Sequence, residues 1–299
     1  MTAEMGTVAS LWRYPVKSMQ GEELSEGELT QHGLLGDRAY AMIDVAEGKA
    51  VSAKHPVKWP TLFGCKAVFA EPPKKSAPPP PVRITLHDGS ATESHARDCH
   101  QTLSGVLKRP VILAMTDRGW MSGVHAALPA TWAGKGEQYW LDMDGLDHRD
   151  TVTEFTLSRG TFFDGGIVHL ITTVTLIALH KAYPKGRFEP RRFRPNRVID
   201  TPAGTKGFVE ESWIGKTVKI GDAQLAITGA CGRCVMTTLA QGDLPKDNGI
   251  LRTAVQHNEG HVGVYAKVLQ AGAIKRGDRL IAVAKYLSSH PEPLCQSLP

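Results

Sequence analysis

Short apolar runs cut off by proline, glycine and aspartate confine this chain to a strand-rich fold. Val82-Arg83-Ile84-Thr85-Leu86 alternates with period two before an Asp88-Gly89 turn, the pattern of a half-buried strand. Thr7 to Tyr14 reads as a strand stopped by Pro15, and Ala39 to Asp44, Cys65 to Ala70 and Ala223 to Ile227 read likewise. Val235 to Leu239 is β-branched and reads as another strand, and the stretch from Val218 to Tyr286 reads as strands and turns, with Gly277-Asp278 the clearest turn. Two segments carry helical spacing. One is Asp98 to Leu107, with Asp98 as N-cap, and the other is Val174 to Tyr183, which follows a strand at Ile167 to Ile171. Thr172 or Thr173 caps this second helix, and Pro184 with Gly186 ends it. The expected class is α+β and β-rich, without internal repeats.

A chain of 299 residues predicts two domains, with the boundary between 125 and 155, where glycine, proline and alanine accumulate with little periodicity. The assignment is 1–130, 131–290 and a tail 291–299. Glu71 to Pro81 reads as an exposed polyproline connector. Hydrophobic residues at 41% and charged residues at 22% exclude a disordered chain or a fibre. No stretch approaches 18 uninterrupted apolar residues, and Met1 to Gly6 lacks the regions of a signal peptide, so the expectation is a cytoplasmic protein without stable membrane insertion. Five cysteines, an odd count in a long chain, argue for reduced thiols. The net charge of +5 concentrates in Lys185, Arg187, Arg191, Arg192, Arg194 and Arg197. Such a cluster can hold a nucleic acid, a phosphate or a polyanionic cofactor. Pro184, Pro190 and Pro195 interrupt it, so it forms no recognition helix, and nucleic acid is not the expected partner.

The stretch Thr228 to Thr238 places Cys231, Arg233 and Cys234 in a turn between two apolar runs. Three readings compete. The thiols fill a core; or they form a redox pair, although such a pair belongs at an early strand opening a helix; or they join His257 and His261 around zinc. The 22 residues between Cys234 and His257 (257 − 234 − 1) exceed the spacing of a zinc finger, and a chain of this size needs no metal staple.

Several separated stretches share one resemblance. Tyr14-Pro15-Val16-Lys17-Ser18, Gly36-Asp37-Arg38, Phe193-Arg194-Pro195-Asn196, Glu211-Ser212-Trp213-Ile214-Gly215, Cys231-Gly232-Arg233-Cys234 with Thr237-Thr238, and Gly277-Asp278 occur in that order. The chain resembles MOSC-domain proteins with an N-terminal β-barrel domain, in the branch of the mitochondrial amidoxime-reducing component and its bacterial relatives. The resemblance runs from about residue 6 to about residue 284 and implies a β-barrel-like domain followed by a MOSC β-barrel with a few helices.

It also implies a molybdenum–molybdopterin cofactor between the two domains, with the second cysteine, Cys234, ligating the metal. A soft thiolate suits such a centre. Cys231 is then a buried bystander. Lys17, Arg38, Arg194 and Arg233 become clamps on the pterin and its phosphate, Asn196 reads an amide edge, and Gly232 is a further cofactor contact. Asp164 falls in Phe162-Phe163-Asp164-Gly165-Gly166, where relatives keep an aspartate near the metal, and is the expected proton relay. Relatives often follow it with hydroxyl residues. This chain has Gly165 and Gly166, whose backbone amides can take over anion binding, and has Gly232 where serine is common.

The implied activity is reduction of N-hydroxylated compounds such as amidoximes, hydroxylamines and N-hydroxylated bases. A separate ferredoxin-, cytochrome b5- or flavin-reductase-like protein would supply the electrons, since only Cys295 lies in the tail and a fused cluster needs several cysteines. The alternative is a cofactor or sulfur carrier without reductase activity.

Overall fold

The computed structural model of the protein describes residues 4–75, 77–116, 132–143, 149–158 and 160–285. Seven strands close into a barrel in the order Arg197–Asp200, Val168–Thr172, His261–Gln270, Ala223–Gly232, Lys216–Ile220, Arg279–Lys285 and Glu4–Arg13, which returns to pair with Arg197–Asp200. Only Val168–Thr172 and Arg197–Asp200 run parallel. Parallel neighbours need a crossover, and the helix Thr173–Ala182 begins it. Thr172 ends the strand and caps the helix, its hydroxyl accepting from the Thr175 N–H at 3.2 Å. The first strand therefore closes a barrel whose other staves all come from residues 168–285.

Alternation along the staves separates two cores. Leu11, Leu170, Ile199, Leu225 and Val264 pack within the barrel, together with Leu29 and Leu34 from the strands Glu26–Thr30 and Gly33–Leu34. Ile171, Val198 and Val262 belong instead to a core shared with Leu176, Leu179, Phe188, Phe193, Ile250 and Ala254. The last two come from the helix Gly249–Asn258, where strands and turns were expected. Its buried residues, Ile250, Leu251, Thr253 and Ala254, share one helical face.

The N-terminal half is strand-rich. Tyr40–Asp44 pairs with Val111–Met115, and Val82–Thr85 lies between Lys66–Phe69 and Ala91–Glu93. These short sheets and the helix Cys99–Leu107 enclose Val16, Met42, Trp59, Leu62, Ile84 and Leu103. Asp98 occupies the cap position of that helix without a side-chain capping bond. The proline-rich connector is pinned at its end, since the Tyr40 hydroxyl donates to the Pro79 and Pro80 carbonyls at 3.2 and 3.1 Å. Met236 enters this N-terminal core, with Cys234 and Leu239 packed against it. A segment of the second half thus plugs into the first, and that contact sets where the two-cysteine turn lies.

That turn corrects one expectation. Val235–Thr238 is a 3₁₀ helix, not a strand, despite its β-branched residues. Thr237 and Thr238 direct their hydroxyls to the Cys234 and Val235 carbonyls at 3.1 and 2.8 Å, and buried Arg192 takes the Thr237 and Leu239 carbonyls. These bonds satisfy the backbone locally and leave no ladder to form. Of the interval expected to hold the domain boundary, the described part forms the hairpin of Lys135–Trp140 and Thr151–Thr156. Residues 291–299 and Cys295 lie outside the described residues. Among the described residues no helix is long and apolar enough to cross a membrane.

Candidate functional site

The strand Ala223–Gly232 delivers Cys231 into the protein and then turns, leaving Cys234 two residues beyond its end. Cys231 is fully buried and Cys234 half-buried, and both are free thiols. Arg233 folds back between them. Its Nη1 donates to the Cys231 sulfur at 2.8 Å, its Nη2 donates to the Phe193 carbonyl at 2.7 Å, and its Nε has no partner. Burial pushes the Cys231 thiol up, but the Arg233 guanidinium, His169 and Tyr265 outweigh it and hold the group below its ordinary range. Cys231 is thus a buried acceptor for Arg233, more than core filling.

Asp164 is the second focus. Lys17 donates to its carboxylate and also to the Phe162 carbonyl at 3.0 Å, and Lys54 approaches within 3.2 Å. Burial works against ionisation of Asp164, yet the two ammonium groups hold its carboxyl well below the usual range. Burial lowers Lys17 to about 8 although Asp164 opposes it. Burial would also lower Lys54, but the neighbouring Asp164 carboxylate outweighs that and raises it. Lys54 therefore sits on Asp164 and within electrostatic reach of the half-buried Cys234. Across the hairpin, the Phe155 ring lies 4.5 Å from the Lys54 ammonium and 5.6 Å from that of Lys17.

Tyr14 anchors the remaining cations. Its buried ring is flanked by the Arg194 guanidinium at 4.1 Å and that of Arg38 at 5.2 Å. Both arginines have left-handed backbones, with φ of 54° and 49°. Arg194 donates to the Met19 carbonyl, and burial together with the nearby Arg38 lowers it to about 10. Arg38 pairs with Asp37, which is fully buried and also accepts from the Tyr14 N–H at 2.8 Å and from Asn196 Nδ2 at 3.0 Å. Asn196 accepts in turn from the His169 N–H at 3.0 Å. Asn196 is thus a brace between the barrel strand and the Gly36-Asp37-Arg38 turn.

The glycines have different reasons to be there. A Cβ on Gly166 would stand 2.5 Å from the Tyr265 ring, and one on Gly165 would stand 3.2 Å from its hydroxyl. Tyr265 therefore occupies the room that hydroxyl side chains would need. At Gly232 the nearest atom to a Cβ is 4.0 Å away, so a serine would fit.

Lys17, Arg38, Arg194, Arg233, Asp164 and the cysteines thus belong to one linked set of contacts. Lys54, His169 and Tyr265 join it unannounced by the sequence. Gly263 nonetheless breaks a strand pattern, and a glycine there marks a close approach, here that of His169. Its Cβ would stand 2.4 Å from His169 Nε2. Arg187 and Arg191 pair with Glu189 and Asp243 instead, and Arg192 is taken up by backbone carbonyls. His257 lies in the last turn of its helix and His261 opens a strand. Among the described residues, no three His, Cys, Asp or Glu side chains gather as metal ligands.

Five cationic side chains around two carboxylates and a soft, half-buried sulfur form a set suited to an anionic cofactor with a thiophilic metal. Residues 159–281 match the model of the MOSC domain, and residues 5–73 match that of the MOSC N-terminal beta barrel domain. Mitochondrial amidoxime reducing component 2 of Homo sapiens is 27% identical over 248 residues, covering 79% of this chain and 67% of that protein. Mitochondrial amidoxime-reducing component 1 of Mus musculus is 26% identical over 258 residues, covering 79% and 66%. Molybdenum cofactor sulfurase of Oryza sativa subsp. japonica is 27% identical over 238 residues, covering 76% of this chain and 28% of its own length.

Proposed function

The chain belongs to the MOSC-domain proteins that carry an N-terminal MOSC β-barrel domain, and from that premise we propose that it is a molybdenum-cofactor-dependent reductase of N-hydroxylated compounds. The observation that carries this reading is the convergence of Cys234, Lys54 and Asp164 with the arginines around Tyr14. A lone structural thiol would need no such surplus of positive charge.

In this reading the Cys234 thiolate is the protein ligand to molybdenum, and Arg38, Arg194, Arg233 and Lys17 hold the pterin and its phosphate. The unpartnered Arg233 Nε and the backbone amides of Gly165 and Gly166 are further donors for it. When bound, the cofactor supplies two-electron oxygen-atom removal from nitrogen, the step that side chains cannot perform. The protein orients the substrate and supplies protons for the departing oxygen. Asp164, flanked by two ammonium groups, stays ionised and acts as an acceptor that aligns Lys17 and Lys54, whose N–H groups are the acidic protons there. Electrons come from a separate redox protein, and the cytosol is the proposed compartment.

Likeness to the rice sulfurase favours one other reading, a carrier of the cofactor or of its sulfur. The test that separates the two is reduction of benzamidoxime by protein purified from a molybdenum-replete host, with an artificial one-electron donor. Turnover supports the reductase. Bound pterin and molybdenum without turnover support the carrier.

A further inference from the structure

One aromatic ring faces both ammonium groups of the Asp164 cluster. The centroid of Phe155 lies 4.5 Å from Lys54 Nζ and 5.6 Å from Lys17 Nζ, within the roughly 6 Å over which an aromatic face attracts a cation. Of the six residues in Thr151–Thr156, Phe155 is the one that is not exposed. Its cross-strand partner is the buried Gly136, where a Cβ would stand 2.5 Å from the ring. Gly136 does not have a left-handed backbone, so the ring, and not the chain, excludes a side chain there. The same hairpin holds Lys54 at its other end, the Tyr139 N–H donating to the Lys54 carbonyl at 2.8 Å.

Phe155 also packs against the cluster of Ala50, Leu157 and Phe162, a task that a leucine would meet. What leucine lacks is a negative face. Asp164 sets one charge against the two ammonium groups, and more positive charge stands within electrostatic reach, Arg233 toward Lys54 and Arg38 toward Lys17, with the Cys234 sulfur as a further anionic group toward Lys54. A second carboxylate at position 155 would discharge the cluster. The ring quadrupole attracts a cation and adds no formal charge, so the pair keeps its surplus for an anionic ligand.

We propose that Phe155 is a positioning residue, whose π face holds the Lys54 and Lys17 ammonium groups on Asp164 without neutralising them. Its place in catalysis rests on the reductase reading above, in which these lysines supply protons, but the contact itself does not. The hairpin of Lys135–Trp140 and Thr151–Thr156 then belongs to the site.

The test replaces Phe155 in the full chain by mono- and trifluorinated phenylalanine, which weaken the π face at nearly constant shape, and by leucine, which removes it. In cofactor-free protein with isotope-labelled lysine, NMR follows the two ammonium titrations, assigned with Lys17→Met and Lys54→Met. Both should move to lower pH in step with fluorination, reaching roughly half a unit to one and a half units in Phe155→Leu, the equivalent of one cation–π contact. Should Phe155→Leu not fold, Gly136→Ala, whose Cβ displaces the ring and leaves the charged groups in place, should lower the same titrations. Titrations unmoved across the fluorinated series would show that the ring is apolar cover, and a rise would show that it only kept water out; either overturns the proposal. The second readout is the pH profile of benzamidoxime reduction by cofactor-loaded protein. Its alkaline limb should follow Lys17, which burial places at about 8 in the parent, to lower pH in Phe155→Leu. A limb that stays in place while the lysines shift also overturns it. No reduction by the parent would sink the reductase reading alone, since the titrations decide the contact without cofactor.

Discussion

Arg233 donates to the sulfur of Cys231, 2.8 Å away, and not to that of Cys234, the cysteine expected to bind metal. The two thiols thus divide their work. Cys231 accepts from the arginine inside the protein, and Cys234 is half-buried and takes no hydrogen bond from it.

Cys234→Ser should lose both molybdenum and benzamidoxime reduction, because a hydroxyl competes poorly with a thiolate for a soft metal. Cys231→Ser should keep the metal but weaken the fold by roughly 1.5–3 kcal/mol, the range for a hydrogen bond to a charged group. Metal analysis and urea denaturation of the two variants check this. Loss of metal from both would mean that the division is wrong.

Asp164→Asn tests the lysine pair. Asp164 is partly exposed, so its neutral-pH contribution should fall between the roughly 1 kcal/mol of a surface pair and the 3–5 kcal/mol of a buried one. Its folded-state pKa is depressed, so this stability is present above the unfolded carboxylate value and lost as pH falls below it. The parent should lose stability between about pH 4 and pH 2 more steeply than the variant, as read by denaturant midpoints across that range.

Lys17 gives the opposite limb. Burial lowers it to about 8, so between that pH and its unfolded value near 10.5 the unfolded chain binds the extra proton. Stability should therefore gain a rising contribution over that window, while reduction falls as the ammonium proton is lost. Lys17→Met should remove the alkaline gain. An identical pH–stability slope in parent and variant would rule out this titration.

Arg194→Ala and Arg233→Ala should give folded protein with pterin reduced about ten- to a hundredfold, the equivalent of 1.5–3 kcal/mol. Arg191→Ala should retain it, because Arg191 is already committed to Glu189 and Asp243. Equal pterin in all three would leave only a diffuse basic field.

Gly263→Ala should destabilise the barrel by about 1–3 kcal/mol, since φ is +86° there and the new Cβ would meet both His169 Nε2 and the Leu170 carbonyl at 2.4 Å. Thermal denaturation beside Gly232→Ala, where there is space, provides the control.

Much of this arrangement was legible in the residues. Short apolar runs marked Tyr40–Asp44 and Lys66–Phe69, and a period-two run marked Val82–Thr85, within a residue or two; of the two threonines read as possible caps, Thr172 is the one that caps. The 3₁₀ turn at Val235–Thr238 was hidden because β-branched side chains signal a strand unless something else takes the backbone carbonyls, and here that something is Arg192, more than forty residues earlier. The helix Gly249–Asn258 was missed because Asn248-Gly249 reads as a turn. The resemblance pointed to Lys17, Arg38, Arg194 and Cys234, but Lys54 and His169 carry no local pattern and become visible only when the barrel and the N-terminal core meet. Nor did the sequence show the partners that Asn196 has inside the protein, Asp37 and the His169 N–H.

The stave Glu4–Arg13 lies between Arg197–Asp200 and Arg279–Lys285, which has a consequence for biosynthesis. The stave Glu4–Arg13 leaves the ribosome well before Arg279–Lys285 and must wait for it before the barrel can close. At about 5–20 residues per second that wait is on the order of ten seconds to a minute. Throughout it, Val8 and Leu11 and an unpaired strand edge are offered to solvent, where chaperones or other nascent chains can reach them. A fragment starting after the first stave would leave a permanent gap in the wall. Cutting the chain between its two family segments should therefore yield an aggregating second half, and supplying residues 4–13 as a separate peptide is the complementation that should rescue it.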